Sequence, residues 1–141
     1  MSARVADATS LAADFETAFS AFRDGGELAS FEAFCDDAGF VIDEDTPFLL
    51  DKEQFLEHMD FQRSGVWSKR EWIVREARFD VWGTTGVVSA YFTLRGKPKD
   101  AGFRLRHGFC TVGCYWDGRR WRGATLNIDT LSGHIKDASP G

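Results

Sequence analysis

Lys69–Trp82 reads KREWIVREARFDVW and Val87–Arg95 reads VVSAYFTLR, and the fold turns on these two stretches. In both, apolar and polar side chains alternate with a period of two, the mark of a strand with two unlike faces. In the second, Val88, Ala90, Phe92 and Leu94 share one face, and Val87, Ser89, Tyr91, Thr93 and Arg95 the other. In the first, strict alternation groups Ile73, Ala77, Phe79 and Val81 with Glu71 and Arg75, and sets Trp72, Val74, Glu76, Arg78, Asp80 and Trp82 opposite. Two further alternating stretches follow. Phe103, Leu105, His107, Phe109, Thr111 and Tyr115 oppose Arg104, Arg106, Cys110, Val112, Cys114 and Trp116. Trp121, Thr125, Asn127 and Asp129 oppose Arg122, Ala124, Leu126 and Ile128. Gly83–Gly86 and Asp117-Gly118 supply turns between them, and the polar stretch 96–102 makes a longer loop able to overhang a pocket mouth. Four long strands are therefore predicted between Trp67 and Thr130.

The chain ahead of them has the helical period. Leu11, Phe15, Phe19 and Phe22 form the apolar stripe of a first helix that starts near Thr9 and stops at Gly25 and Gly26. Leu28, Phe31 and Phe34 mark a second, ending at Asp36 and Asp37. Gly39–Asp45 reads as a strand, turned at Thr46 and Pro47. Asp51 opens a third helix, with Gln54 three residues on as a variant capping box and with Phe55, Leu56 and Met59 as its buried stripe. Helices followed by strands, rather than alternating with them, predict an α+β domain with helices on one face of an antiparallel sheet. Residues 1–141 are expected to form a single domain with tails at 1–8 and 133–141, and function is expected in a pocket between the layers.

Composition narrows the partners. A net charge of −5 argues against a phosphate-binding surface, so no nucleic acid is expected. No run approaches 18 apolar residues and no leader-like segment opens the chain, so neither a membrane nor export is expected and the cytoplasm is the default. Cys110 and Cys114 lie four apart on a strand, roughly 13 Å from one another, too far for a disulfide. His58, His107 and His134 fall in separate segments without metal-ligand spacing, so no metal is expected. Thirteen Phe and five Trp must fill a core or line an apolar cavity.

FCDDA at Phe34–Ala38 leading into the strand Phe40–Asp45, and DGRRW at Asp117–Trp121 leading into the last strand, resemble the nuclear-transport-factor-2-like superfamily. The likeness is to its SnoaL-like and ketosteroid-isomerase-like branch and spans about Leu11 to Leu131. It implies a cone-shaped α+β barrel of the cystatin-like kind, a curved antiparallel sheet wrapped around three N-terminal helices with one deep pocket at the wide end. It also implies cofactor-independent chemistry of isomerase, cyclase, dehydratase or lyase type, or no catalysis at all, because the fold hosts both. Ketosteroid-isomerase-like members place a proton-moving aspartate at the end of the first strand just before a proline. Here Asp43, Glu44 and Asp45 occupy that neighbourhood ahead of Pro47, and Asp45 is the choice. SnoaL-like members carry histidines on the last strand where this chain has Thr125 and Asn127, and no Tyr occurs on the first helix, which argues against steroid isomerisation.

The residues themselves yield a candidate site. Asp45 or His58 would take a proton from a small hydrophobic, aromatic or polycyclic molecule. His107, on a face with Phe103, Leu105 and Phe109, would find a partner in Asn127 or Tyr91 and stabilise an oxyanion with them. Arg106 points away from His107 in an unbroken strand and joins it only through a bulge at Gly108. Asp43, Tyr91, Arg106, Asn127 and Trp67 complete the expected binding residues. Both sheet faces are partly apolar, so a homodimer through the outer face is expected. Two classes of function stay open, a cofactor-free acid–base enzyme and a non-catalytic binding or dimeric interaction module.

Overall fold

Two reciprocal caps fix where the longer helices begin. The Asp7 carboxylate accepts the Ser10 amide at 2.8 Å while Ser10 Oγ accepts the Asp7 amide at 3.2 Å, opening α1 (Ala8–Phe19). Asp51 and Gln54 do the same at 2.8 and 2.9 Å for α3 (Lys52–Arg63), the capping box that their spacing predicts. Between them lie a 3₁₀ turn (Ser20–Phe22), α2 (Leu28–Phe34), β1 (Cys35–Asp43) and the two-residue β2 (Leu50–Asp51). Then come β3 (Trp67–Trp82), β4 (Thr85–Pro98), β5 (Arg104–Trp116) and β6 (Trp121–Thr130). This computed structural model describes residues 4–24, 26–43, 46–63, 67–98, 102 and 104–130, and at 58–63, 67–69, 98, 104 and 130 the backbone alone.

The strands form one curved, open sheet in the order β2-β1-β6-β5-β4-β3. β3 to β6 are antiparallel neighbours, as the alternating stretches predict, but β1 pairs parallel with β6. The long excursion through α3 and β3–β5 separates the two in sequence, and a connection of that length is what parallel pairing needs. The chain turns from β3 to β4 at Gly83 (φ 61°) and from β5 to β6 at Gly118 (φ 102°), left-handed positions that favour glycine.

Two bulges correct the strict alternation. Val74 pairs with Phe92 but Glu76 with Tyr91, so Arg75 is an extra residue in β3. The phase flips there, and Trp72 and Val74 join Ala77, Phe79 and Val81 on one face. Gly113 pairs with Thr125 but Cys114 with Gly123, so Ala124 is extra in β6 and Trp121 joins the face of Leu126 and Ile128. Both shifts keep large apolar residues on one side, where the helices pack.

An aromatic ladder links the layers. Phe15 stacks on Phe19 at 4.4 Å, Phe19 lies 5.6 Å from Trp72, and Trp72 stacks on Phe92 at 4.2 Å. Gly108 sits under Phe92: a Cβ there would come within 2.7 Å of the ring and 2.3 Å of the Asp129 carbonyl oxygen, so no larger residue fits. Trp121, fully buried, is tied to α1 by its amide to Asp14 Oδ2 at 2.8 Å and its indole N–H to Ser10 Oγ at 2.9 Å. Cys35, Cys110 and Cys114 are buried free thiols, and burial pushes all three up to about 12, which keeps them protonated and inert.

Candidate functional site

Strand register assigns each candidate to a face. Across the helix-facing side runs the row Asp43, Ile128, Cys110, Ala90, Ala77, and one end of the same side is closed by Arg106, Leu94 and Trp72. Almost every other described position on this side is apolar or glycine. The charged exceptions lie toward that end: Asp43, Arg106, and beyond them Arg70 and Arg104 on either side of Gly96. At this end β1 and β6 finish and β3 and β5 begin. Asp43 and Arg106 both lie toward it, roughly 13 Å apart along the strands and about 10 Å across two of them.

Behind this end, the described interior is packed. Trp72 is 7% exposed and stacked on Phe92, and a void of about 10 Å³ lies among Phe31, Phe55, Cys35, Val41 and Leu126, room for a single water. Arg106 is exposed and makes no hydrogen bond or ion pair among the described residues. Asp43 is half-buried, and its carbonyl oxygen accepts the Thr46 amide at 3.1 Å, which holds the end of β1 in place.

The same register turns His107 away from this site. β4 and β5 pair without interruption from Gly96↔Arg104 to Thr85↔Tyr115, so Gly108 makes no bulge and His107 and Arg106 point to opposite faces. His107 therefore lies on the side of the sheet away from the helices. Its Nδ1 lies 3.0 Å from Thr93 Oγ1, which also accepts Arg75 Nη1 at 3.3 Å and is only 6% exposed. A guanidinium can only donate, so the threonine hydroxyl has its one proton left for the imidazole. Tyr91, packed edge-on against Phe109 at 6.1 Å, and Asn127, paired with Ile42 and Thr111, share that outer face. The alternation had already separated Arg106 from His107; only the packing of the helices reveals which side is inside.

The remaining candidates are placed by backbone or not at all. Asp45 and Glu44 lie outside the described residues, as does His134. His58 falls in α3 one turn after the buried Phe55, and Trp67 opens β3 opposite Pro98; their side chains lie outside the description. Among the described residues no three His, Cys, Asp or Glu side chains converge on a metal position, and no helix is long and apolar enough to cross a membrane.

No protein-family model matches this sequence, and no curated protein matches it. Solved structures do. A ketosteroid isomerase-like protein from Erwinia carotovora atroseptica SCRI1043 superposes with a TM-score of 0.71 at 12% identity, covering 88% of this chain and 95% of its own. An NTF2-like protein from Cytophaga hutchinsonii ATCC 33406 gives 0.69 at 13% identity, covering 85% and 94%. A hexachlorocyclohexane dehydrochlorinase, LinA type 2, gives 0.73 at 10% identity, covering 87% and 84%. At such identities the likeness speaks for architecture alone. Three helices against a curved six-stranded sheet, in this order and over nearly the whole of these chains, give the protein the fold of the NTF2-like and ketosteroid isomerase-like proteins.

Proposed function

We propose that the mouth of the cone binds a small, largely apolar aromatic molecule and moves a proton on it without a cofactor. The observation that carries this reading is the placement of charge. The described part of the helix-facing side is apolar except toward one end, where a carboxylate, Asp43, and a guanidinium, Arg106, lie on strands two apart. A carboxylate beside apolar surface takes a proton from carbon next to a carbonyl group, the electron pair moves to the carbonyl oxygen, and a cation steadies the enolate until the proton is returned elsewhere. Isomerisation, dehydration and aldol-type cyclisation begin with this step, and carbon–carbon cleavage of the retro-aldol kind releases the same sort of enolate after a hydroxyl proton is removed. Asp43 or Asp45, two residues further along, is the base; His58 is the candidate second proton carrier.

The test uses 2-tetralone, an aromatic ketone with exchangeable protons beside its carbonyl, in deuterated buffer followed by proton NMR. Exchange well above the buffer rate is expected, falling at least 100-fold in Asp43→Asn or Asp45→Asn, whichever is the base. No acceleration over buffer, or full acceleration in both variants, would sink the catalytic reading.

A second reading concerns the other face. Ile73, Tyr91 and Leu105 are 46%, 51% and 58% exposed there, while β5 and β6 add mainly neutral residues, Thr111, Thr125 and Asn127 among them. The charges of Glu71, Arg75, Glu76, Arg78 and Asp80 line the β3 edge. An apolar and neutral centre with a charged rim is the anatomy of a protein interface, and we assign this face, with His107, Tyr91 and Asn127 on it, to a homodimer. Sedimentation equilibrium in the micromolar range checks it: a dimer is expected, and a monomer throughout rejects it.

A further inference from the structure

We infer that the ligand of the mouth is an organic anion, an aromatic carboxylate whose ring lies against Leu94 at the edge of Trp72 and whose carboxylate is held by Arg106. The inference rests on the reading of the mouth as a ligand site and adds the substrate class to it. Arg106 shares its row with Leu94 and Trp72, so its side chain starts from an apolar wall. It is exposed, and among the described residues no carboxylate meets it. Arg78, Arg95 and Arg4 each meet a carboxylate, Asp80 at 2.8 Å, Glu71 at 3.1 Å and Asp14 at 2.7 Å, while exposed Arg75 bonds the Thr93 hydroxyl at 3.3 Å.

The surroundings of Arg106 point the same way. The next position outward on β5 of like register is Arg104, paired with Gly96, and the position across Gly96 on β3 is Arg70. Arg70 is held to the loop after α1, its amide donating to Asp24 Oδ1 at 2.6 Å. Three arginines thus occupy neighbouring positions at one lip of a chain whose net charge is −5. A local positive field on an acidic protein attracts organic anions and repels little of what an anion site needs. A guanidinium also holds a carboxylate in a bidentate fork, which fixes the ring's orientation in the gap toward Asp43.

Calorimetric titration with 2-naphthoate and with the isosteric, uncharged 2-naphthamide at pH 7.5 tests it. Naphthoate is expected to bind at least ten-fold tighter, with the preference shrinking at 0.5 M salt. In Arg106→Gln, shown folded by its melting temperature, the ratio is expected to fall within two-fold, whereas Arg119→Gln, in the exposed turn between β5 and β6, retains it. Equal affinity for acid and amide in the natural protein overturns anion selection and leaves the mouth a neutral-ligand site. A ten-fold preference that survives Arg106→Gln overturns the assignment to Arg106. No binding of either probe at millimolar concentration overturns the mouth reading on which the inference rests.

Discussion

The two faces of β4 are built from alternate residues of one nine-residue stretch, Val87–Arg95, yet they live in different solvents. Val88, Ala90 and Phe92 are buried under the helices, whereas Ser89 and Tyr91 stand open to water on the other side. Among the described residues the helix-facing side carries its charge toward one end; the other carries charge along its β3 edge and at Arg95 and Asp129, with large exposed side chains in between. The difference separates two jobs. One face supplies stability and carries the proposed ligand site; the other contributes less to the fold of one chain and is the face proposed to meet a second.

The sharpest way to break that division is to compare equal truncations on both sides. Phe19 is 1% exposed and touches Phe15, Phe22, Phe31, Phe34 and Trp72, so Phe19→Ala leaves a cavity in the middle of the ladder. The expected loss is about 3–5 kcal/mol in urea unfolding. Tyr91→Ala, at half exposure, is expected to cost the isolated chain less than about 1 kcal/mol. Equal losses would mean that the outer face is part of the monomer's own stabilisation, and the division would fall.

The second comparison concerns association rather than folding. Leu105→Glu places a charge at an exposed apolar residue of the outer face, near the start of β5, where Leu105 pairs with Arg95 and is 58% exposed. Buried against a partner, that charge is expected to weaken dimerisation by about 2 kcal/mol or more, roughly thirty-fold in dissociation constant, with a change in melting temperature under dimer-free conditions close to zero. Sedimentation of the variant beside the natural protein checks both halves.

Much of this architecture is legible in the sequence because it is written in period. Helix stripes at Leu11, Phe15 and Phe19 and alternation through Val87–Arg95 state their structure locally, and the Asp51–Gln54 cap marks its helix start to the residue. What alternation cannot report is an extra residue. The bulges at Arg75 and Ala124 each reverse the phase of half a strand, and nothing local distinguishes either residue from its neighbours; they are fixed by what the partner strand and the helices require. The candidate site suffered for a related reason. His107 and Arg106 were correctly set on opposite faces, but a face holding Leu105 and Phe109 resembles an interior by composition. Cys110 and Val112, smaller residues on the Arg106 side, are the ones buried. Large side chains on an outer face serve an interface as well as a core, and sequence alone does not separate the two uses. The parallel pairing of β1 with β6 is equally silent, being a contact between segments some 85 residues apart that no local pattern records.

The smallest expected effect sharpens the comparison at the narrow end, where the outer face does hold the fold together. Tyr115 donates to Asp36 Oδ1 at 2.5 Å, joining β5 to the start of β1 across the strand between them. That bond holds the Asp36 carboxyl below its usual range, helped by the Ala38 amide, and holds the Tyr115 phenol above its own. A depressed carboxyl contributes stability above its unfolded value near 4 that is lost as pH falls through the folded one. A raised phenol contributes stability below its unfolded value near 10 that is lost as pH rises through the folded one. The link is therefore fully present between about pH 5 and 9 and fades on both sides. Tyr115→Phe is expected to cost about 1 kcal/mol in that window, since both groups are only part-buried and water replaces the bond. The gap between the natural protein and the variant in thermal unfolding should be flat from pH 5 to 9 and shrink below about pH 4 as Asp36 takes up its proton. A gap that stays constant down to pH 3 would mean that the ring's packing, rather than the hydroxyl's bond to Asp36, ties the two strands, and the narrow end would then differ from the rest of the outer face in shape and not in charge.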